Sequence, residues 1–249
     1  LLALKLVLVP SFLLFVSLAG QRWGAAVAGW LVGLPLVTGP ILFFLSIEQG
    51  ERFAGLAASA ALSAVFAAMS FCIVYAHVAQ KYNWLAALLL AVPAWLAAAL
   101  LLTWLPADRP LFALAVALLA LLLAPRLFPT VQVAAGRRPG SLLELLSRML
   151  AGVVLTFAVT LAAGTLGQTW SGLLALFPIL GSVITVAVHR AHGASEVAAL
   201  LRAMGTGYYA IVAFCFVLAI TLPVLGNVGA FALAVAASLA AQGATWRRL

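Results

Sequence analysis

Two short stretches gather the residues best able to bind a polar atom inside an otherwise apolar chain. The first is Gly33 to Pro40 (GLPLVTGP) and the second is Pro178 to Thr185 (PILGSVIT). Proline lacks a backbone donor and clashes with the preceding turn of a helix. Pro35, Gly39 and Pro40, close together in one apolar run, should therefore kink or break a helix and free carbonyls around Gly33 to Leu36. Pro178, Gly181 and Ser182 should do the same at matching depth. Thr38, Ser182 and Thr185 add hydroxyls. Such a set is a candidate to bind a solute; it supplies neither a nucleophile nor an acid–base pair.

Ionisable groups follow at the helix ends. Glu48 is a candidate proton or cation acceptor, and His189 and Arg190 are candidate anion contacts. Arg202 falls about two turns inside its span, so it must snorkel, or face a polar cavity and pair. The substrate-binding candidates are thus Pro35, Thr38, Gly39, Pro40, Pro178, Ser182, Thr185 and Arg202. The coupling candidates are Glu48, His189 and Arg190. Each has a plainer reading beside it: close helix packing for Gly and Pro, interfacial anchoring for the charged groups. Catalysis is not expected. No HExxH, GxSxG, paired-Asp or Gly-rich phosphate motif occurs. His189 and His192 stand three residues apart with no third ligand near, so neither a metal nor a cofactor is expected.

The elements that must position these residues occur twice. An offset of 143 residues carries Pro35 onto Pro178, Gly24 onto Gly167, Gly50 onto Gly193, and Phe71-Cys72 onto Phe214-Cys215. The chain has two cysteines, and both fall in this one register. Interrupted hydrophobic segments at corresponding places in two halves point to a transporter site where the halves meet.

Hydrophobic residues make up 67% of the 249 and charged residues 7%, with mean hydropathy +1.25. That excludes a soluble globular domain. The apolar runs lack strand alternation, so the spans should be helices and not barrel strands. The fold class expected is an all-α polytopic integral membrane protein with about nine transmembrane helices, arranged 4+1+4 as an inverted repeat. The spans run roughly 2–20, 23–48, 53–79, 83–105, 110–125, 143–164, 169–190, 195–221 and 227–245. Residues 1–105 form the first four-helix repeat, 106–142 a linker helix and loop, and 143–249 the second repeat. The first twenty residues match a later span and lack a cleavage site, so they read as a helix, with residues before Leu1 left open. Cys72 and Cys215 read as buried thiols.

The net charge of +8 lies in loops. It therefore reads as topology and contact with membrane lipid, with no nucleic acid as partner. With nine spans, Arg22, Lys81, Arg126, Arg137, Arg138, Arg148, Arg190, Arg202, Arg247 and Arg248 share one side, and Lys5, Arg52 and Arg109 the other. The richer side should be cytoplasmic, with the central loop and C-terminus. Equivalent helices are five spans apart, an odd number, so the second copy should run upside down. If the fifth span stays out of the membrane, the copies are parallel and only Arg22 and Lys81 lie on the poorer side. Inversion is preferred because the fifth span (LFALAVALLALLLA) is too apolar to leave in water.

The stretch Gly172 to Pro178 (GLLALFP), running on to Gly193 and Tyr208, resembles the GlpM family of small bacterial inner-membrane proteins. The similarity covers spans six to nine and reaches the first copy at Gly33-Leu34-Pro35, where the Phe is missing. The whole chain also resembles two-copy bacterial membrane proteins carrying GPxxFFLxxEQG, here Gly39 to Gly50. The resemblance implies a multi-pass protein of the bacterial inner membrane, a link to envelope polysaccharide production, and a half-size unit able to pair with itself, which makes a homodimer one expected assembly. Two functions follow as expectations. One is a transporter or permease, for a lipid-linked or amphipathic envelope substrate, in which one copy rocks against the other. The alternative is a non-transporting subunit or assembly factor for an envelope-synthesis membrane enzyme.

Overall fold

The computed structural model describes residues 2–104, 106, 109–130, 149–155 and 167–246. Among them every regular element is an α-helix. The helices are α1 (Leu2–Trp23), α2 (Ala25–Val32), α3 (Thr38–Gln49), α4 (Glu51–Ser63), α5 (Val65–Val78), α6 (Trp84–Leu102), α7 (Pro110–Leu127), α8 (Gly167–Ala175), α9 (Ile179–His192) and α10 (Ala194–Thr245). Residues 149–155 are also helical; the rest of the expected sixth span and most of the central loop, with Arg137, Arg138 and Arg148, lie outside the described residues, as do Arg247 and Arg248.

The fold is all-α and of membrane type. Five described helical stretches are long and apolar enough to cross a bilayer: Glu51–Val78, Trp84–Leu102, Pro110–Leu127, Thr169–His192 and Ala194–Thr245. The last has 52 residues and is interrupted at Gly226, whose φ of 65° and ψ of −179° end one arm and begin another. At about 20 residues per crossing, α10 is long enough for two passes. Apolar side chains are abundant on the outside, as lipid requires, with Leu89, Leu111 and Val228 among the most exposed.

Single extended residues join several neighbouring helices. Gly50 links α3 to α4 at φ 89°, ψ 163°, and Gly193 links α9 to α10 at φ 85°, ψ −171°. That region of backbone space is open essentially to glycine alone. The two residues stand 143 apart, so the same turn is built twice. Asn83 and Gly226, also 143 apart, both leave the helical conformation, Asn83 in the extended region and Gly226 at positive φ, and the Asn83 side chain caps α6 by accepting from Ala86 N at 3.0 Å.

Small residues fix the directions in which helices pass one another. A Cβ on Gly55 would lie 3.8 Å from the Ala219 carbonyl oxygen, and one on Gly205 would lie 3.4 Å from Met69 Sδ. The α4–α5 rod and the first arm of α10 therefore run antiparallel. Gly29 abuts the Leu200 carbonyl and Gly33 abuts Gly207, so α2 runs parallel to that same arm. Gly172 abuts the Ala57 carbonyl, the contact reached from Gly29–Leu200 by exchanging the two copies: 29 becomes 172, and 200 becomes 57.

These directions sort the charges. The Tyr75–His189 and Arg202–Pro129 contacts, and the start of α2 beside the start of α10, gather Arg22, Lys81, Arg126, Arg190 and Arg202 at one end of the bundle. Glu48, Glu51 and Arg52 lie at the other, where a Cβ on Gly226 would stand 3.4 Å from Glu51 Oε1.

Candidate functional site: two broken helices around one small cavity

Two helices are broken where Pro35 and Pro178 fall. α2 stops at Val32 and α3 starts at Thr38; α8 stops at Ala175 and α9 starts at Ile179. The two breaks share their hydrogen bonds one for one. Gly33 N donates to Trp30 O at 3.1 Å, and Leu176 N to Leu173 O at 3.2 Å. Leu34 N donates to Leu31 O at 3.1 Å, and Phe177 N to Leu174 O at 3.0 Å. Leu36 N donates to Leu34 O, and Ile179 N to Phe177 O, both at 2.7 Å. Gly39 N then donates to Pro35 O at 2.9 Å, and Ser182 N to Pro178 O at 2.7 Å, which restarts the helix. Pro178 sits at φ −74°, ψ 62°, an inverse γ-turn. Each chain thus tightens into a 3₁₀ turn, reverses around proline, and resumes with the proline carbonyl as first acceptor.

The two breaks touch. Thr38 Oγ1, at the start of α3, donates to the Ala175 carbonyl at the end of α8 over 2.9 Å. Beside this bond lies a cavity of about 30 Å³ bounded by Val32, Thr38, Ala175, Pro178, Gly181 and Tyr208, with apolar neighbours from both breaks and from α10. That volume holds roughly one or two water molecules. No carboxylate and no basic group lines it.

The expected site residues divide into two groups. Thr38 and Pro178 line the cavity, and Pro35, Gly39 and Pro40 belong to the same break without lining it. Gly39 faces the ring of Phe214, 3.5 Å from where its Cβ would be. Ser182 is buried and donates to its own helix at Ile179 O over 3.1 Å. Thr185 is fully buried, and its hydroxyl has no hydrogen-bond partner among the described residues. The ionisable candidates lie away from the cavity. Glu48 is exposed at the end of α3. His189 Nδ1 and the Tyr75 hydroxyl share a 3.2 Å hydrogen bond, with their rings edge-on at 5.8 Å. Arg190 stands over the ring of Trp84 at 5.5 Å.

Arg202 does not face the cavity either. It is exposed, donates from Nη2 to the Pro129 carbonyl at 3.1 Å, and lies 6.0 Å from the centre of the Phe128 ring. Its long stem lets it serve the carbonyls that follow the end of α7, which a short side chain at that position could not reach.

Sequence reasoning passed over a second polar cluster. Trp30 Nε1 donates to Thr245 Oγ1 at 3.1 Å, Thr245 Oγ1 donates to Gln242 O at 2.9 Å, and Gln242 Nε2 donates to Trp30 O at 2.9 Å. All three residues are buried. A Gln and a Thr three residues apart in the last apolar run were the available signal, because polar residues in a span are rare and face the bundle interior. Cys72 and Cys215 are both buried and free. Among the described residues no three His, Cys, Asp or Glu side chains come together as a metal site would need. Comparison of the chain with protein-family models, with curated proteins and with solved structures finds no match.

Proposed function

We propose that this chain is a small transporter of the bacterial inner membrane, built of two inverted copies of a four-helix unit related to the GlpM family, with its solute path at the two breaks. One observation carries the reading: two interrupted helices with the same hydrogen-bond pattern meet, through Thr38 and Ala175, beside one small cavity. Discontinuous helices facing each other between repeats are where secondary transporters hold their substrates. The antiparallel passage of α4–α5 against the first arm of α10 supports inversion. Segregation of Lys and Arg supports a cytoplasmic location for the end that carries Arg22, Lys81, Arg126, Arg190 and Arg202, together with the central loop and the C-terminus.

The lining bears on the substrate. A bare ion in a cavity without a charged partner is costly. An amphipathic or lipid-linked envelope compound avoids that cost, since its apolar part passes the breaks while its polar head stays near the basic end.

A second reading draws on one specific observation: Thr38 and Ser182 are buried, at 4% and 7% exposure, and each already donates a hydrogen bond. Hydroxyls buried and bonded in this way suit a packed subunit that supports an envelope-synthesis enzyme. Cysteine accessibility separates the two. In a Cys72→Ala, Cys215→Ala background, Thr38→Cys and Ser182→Cys are each probed in membranes with an impermeant thiol reagent from either side. Labelling of both positions supports an opening centre and transport. Protection of both from both sides, in protein shown to be folded, sinks transport and leaves the subunit.

A further inference from the structure

The two breaks are built alike but held differently. At the first, the Trp30 carbonyl accepts Gly33 N, and the side chain of Gln242 donates to it as well. The Trp30 indole N–H reaches Thr245 Oγ1, whose hydroxyl returns to the Gln242 carbonyl. The ring of Trp246 meets that of Trp30 edge-on at 5.0 Å. Gly207 abuts the Trp30 carbonyl on another side, and no larger residue would leave it that room. The second arm of α10 is thus joined by reciprocal hydrogen bonds to α2, immediately before the chain breaks.

At the second break the residues one offset away are Leu173, Ala99 and Leu102, which have no side-chain donor or acceptor. The helix in the equivalent place, α6, meets that break through ring contact instead. Trp95 packs edge-on against Phe177 at 4.8 Å, and its indole N–H has no hydrogen-bond partner among the described residues. Buried hydrogen bonds are directional and costly to leave unmade, whereas apolar ring contact tolerates sliding.

We propose that the Trp30–Gln242–Thr245 clasp makes the first broken helix the fixed one and leaves the second, hinged at Pro178 between α8 and α9, as the one that opens. Gln242 is then a positioning residue: it touches no solute and acts by holding the carbonyl at the mouth of the first break. The inference rests on the hydrogen bonds and does not require transport.

Amide hydrogen exchange on the full chain in lipid nanodiscs tests it, with no substrate present. The amides of Gly33, Leu34 and Leu36 are compared with their counterparts at Leu176, Phe177 and Ile179. In the wild type the second set should exchange about tenfold faster, the ratio that one buried hydrogen bond of about 1.4 kcal/mol produces. Gln242→Met keeps the length and removes the donor, and it should raise exchange at the first set until the two agree within about threefold. Thr245→Val, a milder change, should move the first set in the same direction by less. Equal exchange at the two breaks in the wild type overturns the proposal, and that comparison needs no variant to fold. So does Gln242→Met that folds and leaves the first break as protected as before. Neither result touches the transport reading, which the cysteine labelling decides separately.

Discussion

Replacing Gly29 or Gly172 by alanine should destabilise the protein by the same amount, because the two glycines occupy equivalent crossings. A Cβ on Gly29 would press on the Leu200 carbonyl oxygen and stand 3.0 Å from its carbon and 3.2 Å from Met204 N. A Cβ on Gly172 would press on the Ala57 carbonyl oxygen and stand 2.9 Å from its carbon and 2.7 Å from Ala60 Cβ. In both cases the obstacle is mainly backbone, so no rotamer change relieves it, and the helices must separate. Overpacking of this kind costs about 2–3 kcal/mol. Helix pairs in lipid depend on close packing, so separation is not offset by the hydrophobic effect. For a chain of this size the cost corresponds to a fall in Tm of roughly 4–12 °C. The chain carries its own reporters: Cys72 and Cys215 are buried and react with a thiol dye only when the bundle opens. Gly243→Ala is the control, since nothing lies within 4 Å of its Cβ position and alanine suits a helix better by about 1 kcal/mol. Gly29→Ala and Gly172→Ala that both melt within 1 °C or so of the wild type would refute the close approach. A large loss at one with none at the other would refute the equivalence of the crossings.

Three further outcomes follow from the same geometry. Gly50→Ala and Gly193→Ala meet no steric obstacle but force alanine into a conformation reserved for glycine, so each should cost about 1–3 kcal/mol in the thiol-dye melt. Thr38→Val removes the bond to the Ala175 carbonyl that ties the breaks together and should cost about 1–3 kcal/mol, whereas Ser182→Ala loses a bond within one helix and should cost less than half as much. Arg202→Ala should lower stability by no more than about 1 kcal/mol and leave thiol labelling at position 38 unchanged, because its contacts with Pro129 and Phe128 lie at the exposed end of the bundle. A change in labelling there would return Arg202 to the solute path.

The breaks were legible because two prolines fall in one register. Proline removes a donor wherever it sits, yet Pro10, Pro93, Pro125 and Pro223 lie inside continuous helices, so it is the offset of 143 that singles out Pro35 and Pro178 as the pair that breaks. The turns at Gly50 and Gly193 were legible as a matched pair for the same reason. Partnerships between distant side chains were not. Nothing local to Gln242 says that it meets Trp30, more than 200 residues away, and nothing local to Arg202 says that its guanidinium finds the carbonyl of Pro129. Depth within a span left Arg202 either to snorkel or to face a polar cavity, and a long flexible stem makes depth a poor guide to which of the two the charge adopts. The hydroxyls show the same limit. Thr38 and Ser182 fall near their breaks in sequence, yet one bonds across to the other copy and the second bonds to its own helix, a difference set by side-chain direction and not by position.

The exchange of partners between the copies also constrains how such a molecule could move. If the two halves of the chain rocked as rigid bodies against each other, α2 would slide on α10 at Gly29 and α8 would slide on α4 at Gly172. Both contacts are backbone against backbone, and such surfaces do not slide by fractions of a residue without clashing. Motion confined to the half-helices beyond the breaks, α3 and α9, leaves both crossings intact. The γ-turns at Pro35 and Pro178 are suited to it, since the helical hydrogen bonds that would resist bending are already interrupted there. The bond from Thr38 to Ala175 joins α3, on the clasped side, to the end of α8, so it breaks when α3 moves and stays intact when α9 alone swings. Opening by α9 with α2, α8 and α10 held still therefore spares that bond and the clasp, and costs the contacts α9 makes itself: the hydrogen bond between His189 and Tyr75, the stacking of Arg190 on Trp84, and packing against α10 and α6.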